Sequence, residues 1–391
     1  MLRKLLSNLL FLIILAIALG IGCGMFMPQW AARIFVTFNA IFAQFLGFMI
    51  PLIILGFVAP AIAQIGRSAG LMLAVTVLIA YIFTSLSGFF AYGVGEWVFP
   101  SLVEPRHLDT SGATVLMPYF TVEMPPLMEV MTALVLAFVI GICMAYLSTS
   151  ALRKGFDEFR DCVQLTIMKA VIPLLPLYIF GIFLNMTMQG NVASVLGTFA
   201  GIIGVIFAMH ILLLIVQYCI AGAIVRRNPF KMLLTMMPAY FTALGTQSSA
   251  ATIPVTLHHT IKMGVRKDIA GFVIPLCATI HMSGSAMKIV ACAMAVMIME
   301  GMAWTTGMFA GFIMMLGITI VAAPGVPGGA IMASLGLLAS ILGFDADQQS
   351  LMIALYITMD SFGTACNVTG DATIAHIIQS LFAKKAPAPQ E

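Results

Sequence analysis

Charge is what this chain has least of. Its 391 residues carry 18 Lys/Arg and 15 Asp/Glu, 8% together, where a soluble domain carries about 25%. That scarcity excludes an ordinary water-soluble fold. It also leaves no basic face for nucleic acid, since the basic residues fall in small clusters beside apolar runs. Cysteine is sparse as well: seven, with no C-x-x-C spacing and most of them inside apolar segments, which excludes a disulfide frame and a thiolate metal site. A nucleophile with its base is missing too. His281 is two residues from Ser283, a poor match of helix faces, and a base must reach its nucleophile. His210 and His376 stand alone in apolar stretches and read as core, while His258-His259 beside Lys262 read as a solvated helix end. No enzyme is expected.

What fills the chain is hydrocarbon. Residues of the apolar class make up 61%, and the mean hydropathy is +1.09, the composition of a multi-pass membrane protein in the lipid bilayer. Charge-free runs such as Ala170 to Val225 and Gly301 to Phe344 are each too long for a single span. Thirty methionines suit adaptable packing between helices. Arg3-Lys4 followed by an apolar run to about Met27 mimics a signal peptide, but the run is long and more spans follow, so it reads as a first transmembrane helix.

Basic residues near span ends mark the cytoplasmic side. Arg3 and Lys4 put the N-terminus inside, and spans at about 34–66 and 69–97 lead to Arg67 and then to an outer loop with Glu104, Asp109 and Glu123. A fourth span returns to Arg153, Lys154 and Arg160; a fifth and sixth, joined at Gln189-Gly190-Asn191, return to Arg226-Arg227. Residues 229–260 are basic at both ends yet too short for two spans of about 20 residues. With Gly245-Thr246-Gln247-Ser248-Ser249 in the middle, they read as a re-entrant hairpin from the cytoplasm. Residues 303–343 mirror them, bounded by Glu300 on one side and Asp345 and Asp347 on the other, around Pro324-Gly325-Val326-Pro327-Gly328-Gly329, which no continuous helix tolerates. Eight spans, two opposed hairpins and both termini inside place fourteen of eighteen Lys/Arg in the cytoplasm; Arg33 and Arg106 fall outside, and Lys169 and Lys288 within spans.

The last span holds the chain's most informative residues. Asp360, Thr364, Asn367 and Asp371 fall at i, i+4, i+7 and i+11, one stripe of a helix with the acids roughly 16 Å apart. A carboxylate at bilayer depth costs about 2.5–3.5 kcal/mol and is kept for a task. The chain also repeats itself in outline: a hairpin plus a polar-centred span over 229–298, carrying His281-Met282-Ser283-Gly284-Ser285, and again over 303–383, carrying Asn367-Val368-Thr369-Gly370-Asp371. Paired interrupted segments point to the midplane site of a transporter. The half-helix after each hairpin tip offers N–H groups to an anion, with Ser248 and Ser249 capping the first. An anion beside the tips and a cation beside Asp360 describe a zwitterion, as in an α-amino acid.

The serine-rich tip with Thr252-Ile253-Pro254, the Pro-Gly tip and the Asn367-to-Asp371 motif together resemble the glutamate and neutral amino acid transporter family, the dicarboxylate/amino acid:cation symporters, over essentially the whole chain. The resemblance implies a homotrimer whose scaffold (1–68 and 98–187) carries a sliding, elevator-type transport domain (69–97 and 188–391). It implies that Asp360, helped by Thr364, takes the substrate's amino group, and that Asn367 with Ser248 and Ser249 takes its carboxylate. Gln247 and Gly363 stand where acidic-substrate members place an arginine, and Gly325, Val326 and Gly328 belong to the second tip. Asp371 with Asn367, and Thr84 with Ser85, match cation ligands.

Two departures matter. The family's seventh span reads Asn-Met-Asp-Gly-Thr, whereas this chain has His281 in place of the asparagine, Ser283 in place of the aspartate and Ser285 in place of the threonine. The lost aspartate removes a hard oxygen ligand. Lys288, seven residues after His281, brings a cation instead, so Lys288 with His281 is expected to stand in for sodium, leaving proton coupling or exchange. Without an arginine at 363 or 247, a second carboxylate lacks a bidentate partner, so a neutral amino acid is expected. Sodium-coupled transport of acidic amino acids or dicarboxylates is the alternative, and a channel or a sensor on the same scaffold a further one. No cofactor other than Na+ or H+ as coupling ion is expected.

Overall fold

A computed structural model describes residues 9–67, 71–103, 116–147, 150–188, 192–321, 323 and 328–382. Among these there are helices and no strands, the outcome expected where the backbone must satisfy its own hydrogen bonds. In chain order they are α1 (Leu9–Gly24), α2 (Gln29–Arg67), α3 (Leu71–Val98), α4 (Val130–Tyr146), α5 (Ser150–Thr166), α6 (Ile172–Met188), α7 (Val192–Val225), α8 (Pro229–Thr246), α9 (Ser249–Lys262), α10 (Lys267–Ile280), α11 (Ser283–Met299), α12 (Thr306–Val321), α13 (Gly329–Leu342), α14 (Ala346–Thr358) and α15 (Asp360–Phe382). A π-helical turn, Ile167–Val171, joins α5 to α6.

Five stretches are apolar and long enough to cross a membrane: Gln29–Pro60, Leu71–Ser101, Ala151–Met188, Phe199–Val225 and Lys267–Met299. The pair α14 and α15 makes a sixth, bent by 61°. The protein is an integral membrane protein. In the two regions read as hairpins, α8, α9, α12 and α13 have 18, 14, 16 and 14 residues. At about 1.5 Å per residue each falls short of a hydrocarbon layer about 30 Å thick. The first is broken at Gln247, a non-glycine residue in the left-handed region (φ 54°), and Ser248 caps α9 by accepting from the amide of Ala251 at 3.3 Å. In the second, Gly325 and Val326 lie outside the described residues; Gly328 caps α13 at φ 76°, a conformation that suits glycine.

The helices pack in two sets. In one, α1 lies along α6, and α2 along α4, α5 and α6. In the other, α3 lies against α11 and α12, while α15 is surrounded by α7, α8, α10 and α11. Every residue of α11 is buried. The seam between the sets is made by α13 on α2, α14 on α1, and α14 on α6, where the Tyr178 and Ser350 hydroxyls share a buried hydrogen bond. Two clefts open along it, of about 600 Å³ beside Leu46, Ile50 and Ile353 and about 520 Å³ beside Asn39, Asn185 and Asp347.

Two sequence expectations are corrected. The seventh and eighth spans are not continuous helices: one is interrupted at His281-Met282 and the other at Met359. Asp360 is therefore the first residue of α15 and not a mid-helix acid. Neither break has glycine or proline to announce it.

Close contact between α1 and α6 depends on small residues. A Cβ on Gly20 would meet the Phe180 carbonyl oxygen at 2.7 Å, and one on Gly24 would meet Thr187 Cβ at 2.6 Å, a spacing of four that lets helices approach in lipid. Gly24→Val should cost about 1–3 kcal/mol through overpacking, read as a lower melting temperature in detergent.

Candidate functional site

Four helix N-termini converge on one small cavity of about 40 Å³. It is lined by Ser249 of α9, Ser285 of α11, Gly329 and Ala330 of α13, and Asp360 and Thr364 of α15, with Gln247, Ala278, Met282, Tyr356 and Asn367 completing the wall. Each N-terminus carries unsatisfied N–H groups and a partial positive charge. The fold therefore gathers positive potential here, which makes a buried carboxylate tolerable.

Asp360, 5% exposed, uses that potential. Its Oδ2 accepts the Gly328 amide at 2.7 Å, and its Oδ1 faces Lys288 Nζ at 3.2 Å. Lys288 is wholly buried. Its ammonium also donates to the Tyr356 carbonyl at 3.2 Å and lies 3.4 Å from the centroid of the Tyr356 ring, a cation–π arrangement. Gly363 makes room for it: a Cβ there would stand 3.0 Å from Nζ and 3.4 Å from Cε.

The second acid has a separate partner. Asp371 Oδ1 is 2.9 Å from His281 Nδ1, and both residues are 1% exposed. The sequence reading grouped Lys288 with His281 as one answer to both acids; the helix break divides them, one base to each acid. Asn367 sits between. Its Oδ1 accepts the amides of Gly284 (2.8 Å) and Ser285 (3.3 Å), capping α11, while its Nδ2 donates to Ser285 Oγ at 3.0 Å.

Of the residues read as substrate contacts, Gln247, Ser249, Asp360, Thr364 and Asn367 line the cavity. Gly328 reaches Asp360 through its amide, Gly363 faces Lys288, and Ser248 is a helix cap. Thr84 and Ser85, matched to a separate cation site, lie buried on α3. Thr84 Oγ1 accepts the Met282 amide at 3.3 Å, whereas Ser85 Oγ is the nearest atom, at 3.0 Å, to a Cβ built on Gly317. Ser283 Oγ accepts from Gln217 at 3.0 Å. Tyr356 and Gln217 were missed in the sequence. Tyr356 lies one helical turn before Asp360, a spacing that could have flagged it.

The profile of the sodium:dicarboxylate symporter family matches residues 9–381. The chain belongs to that family. It is a membrane transporter and not an enzyme. Among curated proteins it is similar to the serine/threonine transporter SstT of Acinetobacter baumannii strain ATCC 17978 and of strain AYE. Each is 26% identical over 384 residues, covering 92% of this chain and 93% of the relative.

The family's description names sodium. Ser283 stands where the family's motif has its aspartate, and both intramembrane acids already face a nitrogen base.

A buried pair is strongly destabilised when only one partner is removed, by about 3–5 kcal/mol. His281→Ala and Asp371→Ala should each show a loss of that order in unfolding measurements in detergent. The double variant should lose clearly less than the sum, which a double-mutant cycle would read directly.

Proposed function

We propose that the protein is an elevator-type secondary active transporter that carries a small neutral α-amino acid across the cytoplasmic membrane without obligatory sodium. The observation that carries this reading is Asp360 at the wall of a cavity formed by four helix N-termini, with no arginine lining it. The carboxylate serves a substrate ammonium, and the N–H groups of the helix ends serve its carboxylate. Gln247 and Gly363 offer no guanidinium fork for a second acid. The relatives named as serine/threonine transporters are in keeping with this reading.

The architecture we assign is eight spans with two opposed re-entrant hairpins, both termini cytoplasmic, in a homotrimer. Residues 1–68 and 98–187 are the scaffold; 69–97 and 188–391 are the transport domain. The two packing sets support this division, as do the short paired helices at 229–262 and 306–342. Coupling is by proton or by exchange: Ser283 for aspartate, and a base beside each buried acid, leave no hard anionic cage for sodium. One observation favours a second reading. Lys288 lies against the open side of Gly363, where a shift of the ammonium would meet an acidic substrate side chain.

A thermal-shift screen of purified protein decides between them, because a ligand of the native state raises the melting temperature by mass action. Small neutral amino acids such as L-serine should shift it equally in sodium and in choline buffers, and Asp360→Asn should abolish the shift. A larger or sodium-dependent shift with L-glutamate would establish the second reading instead. For the topology, single cysteines at Gln247 and Val326 should react with an impermeant maleimide from the cytoplasmic and outer sides respectively. Reaction from the opposite sides would remove the hairpins.

A further inference from the structure

Asp360 is shared between two surroundings. On one side it lines the cavity; on the other it is held by Lys288, which is wholly buried and absent from the cavity wall. An ammonium arriving with a substrate would thus find a carboxylate that already has a cation. The lysine also has further partners of its own, the Tyr356 carbonyl at 3.2 Å and the ring face at 3.4 Å. It can release Asp360 in part without becoming an unpaired charge.

A carrier that works by sliding must return empty after each delivery, and the empty trip is where a buried acid is most costly. An unpaired carboxylate moved through a low-dielectric path is strongly disfavoured, whereas the same group beside an ammonium is not. Resting on the transport reading above, we propose that Lys288 is a built-in counter-ion for the empty carrier. It neutralises Asp360 on the return stroke and yields part of that carboxylate to the substrate ammonium on the loaded stroke. Gly363 belongs to the same device, because a Cβ there would stand 3.0 Å from Nζ and press the ammonium aside by a few tenths of an ångström. No cation then needs to be loaded and unloaded to compensate this acid. Exchange of internal for external substrate never passes through the empty state, while net uptake does.

The experiment compares these two modes in proteoliposomes with L-serine: counterflow into serine-loaded vesicles, and net uptake into empty ones. Lys288→Met should lower the ratio of net uptake to counterflow by about tenfold or more. Gly363→Ala, which keeps both charges but presses on Lys288, should lower the ratio in the same direction by about threefold. A wild-type ratio in either variant would overturn the role, as would equal loss of both modes in Lys288→Met protein that still elutes as one folded species. Absence of counterflow in the unsubstituted protein would instead count against the transport of serine itself. Should Lys288→Met fail to fold, Gly363→Ala carries the test alone.

Discussion

The contact between the Asp360 carboxylate and the Lys288 ammonium, 3.2 Å long and almost wholly out of water, sets the terms for everything around it. An acid in such a place needs compensation from several directions, and the chain supplies it by breaking helices. The interruption at Met359 turns Asp360 into the first residue of α15, where the helix dipole favours a negative charge. The Gly328 amide arrives from the second hairpin region, and Lys288 from α11, every residue of which is buried. The helix breaks are therefore tied to one charge that has to be held in a dry interior.

Buried ion pairs rarely add net stability, because desolvating both partners offsets most of their attraction. A buried ion pair, Asp360–Lys288, and a buried carboxylate–imidazole contact, Asp371–His281, in one small region are hard to explain as reinforcement. In the transport reading proposed above they are the residues of a moving site, where a bare acid would be costly. Asn367 joins the two by capping α11 through the amides of Gly284 and Ser285, which ties the helix bearing Lys288 to the helix bearing both acids.

Much of this was legible in the sequence, and its limits have physical reasons. Scarce charge and long apolar runs determine a membrane class. The stripe from Asp360 to Asp371 lies on one helix, as its spacing requires. The tip at Gln247 and the cap at Ser248 were visible because their residue types favour turns. The breaks at His281-Met282 and Met359 were not, since neither carries a local breaker: what interrupts the helix is tertiary, a lysine on the Tyr356 carbonyl and an asparagine on the amides of α11. For the same reason counting residues from His281 to Lys288 along an ideal helix assigned both bases to a common face, when each meets its own acid. Thr84 and Ser85 were matched to a cation site by motif alone; Thr84 accepts the Met282 amide and Ser85 lies beside Gly317.

The seam between the two helix sets has one further consequence. It is loosely filled, with open volume on either side of α14, and the Tyr178–Ser350 hydrogen bond crosses it. In the transport reading proposed above, open volume here would keep the friction of a stroke low, and the Tyr178–Ser350 bond would act as a detent, holding one stop by two hydroxyl groups remote from the substrate cavity.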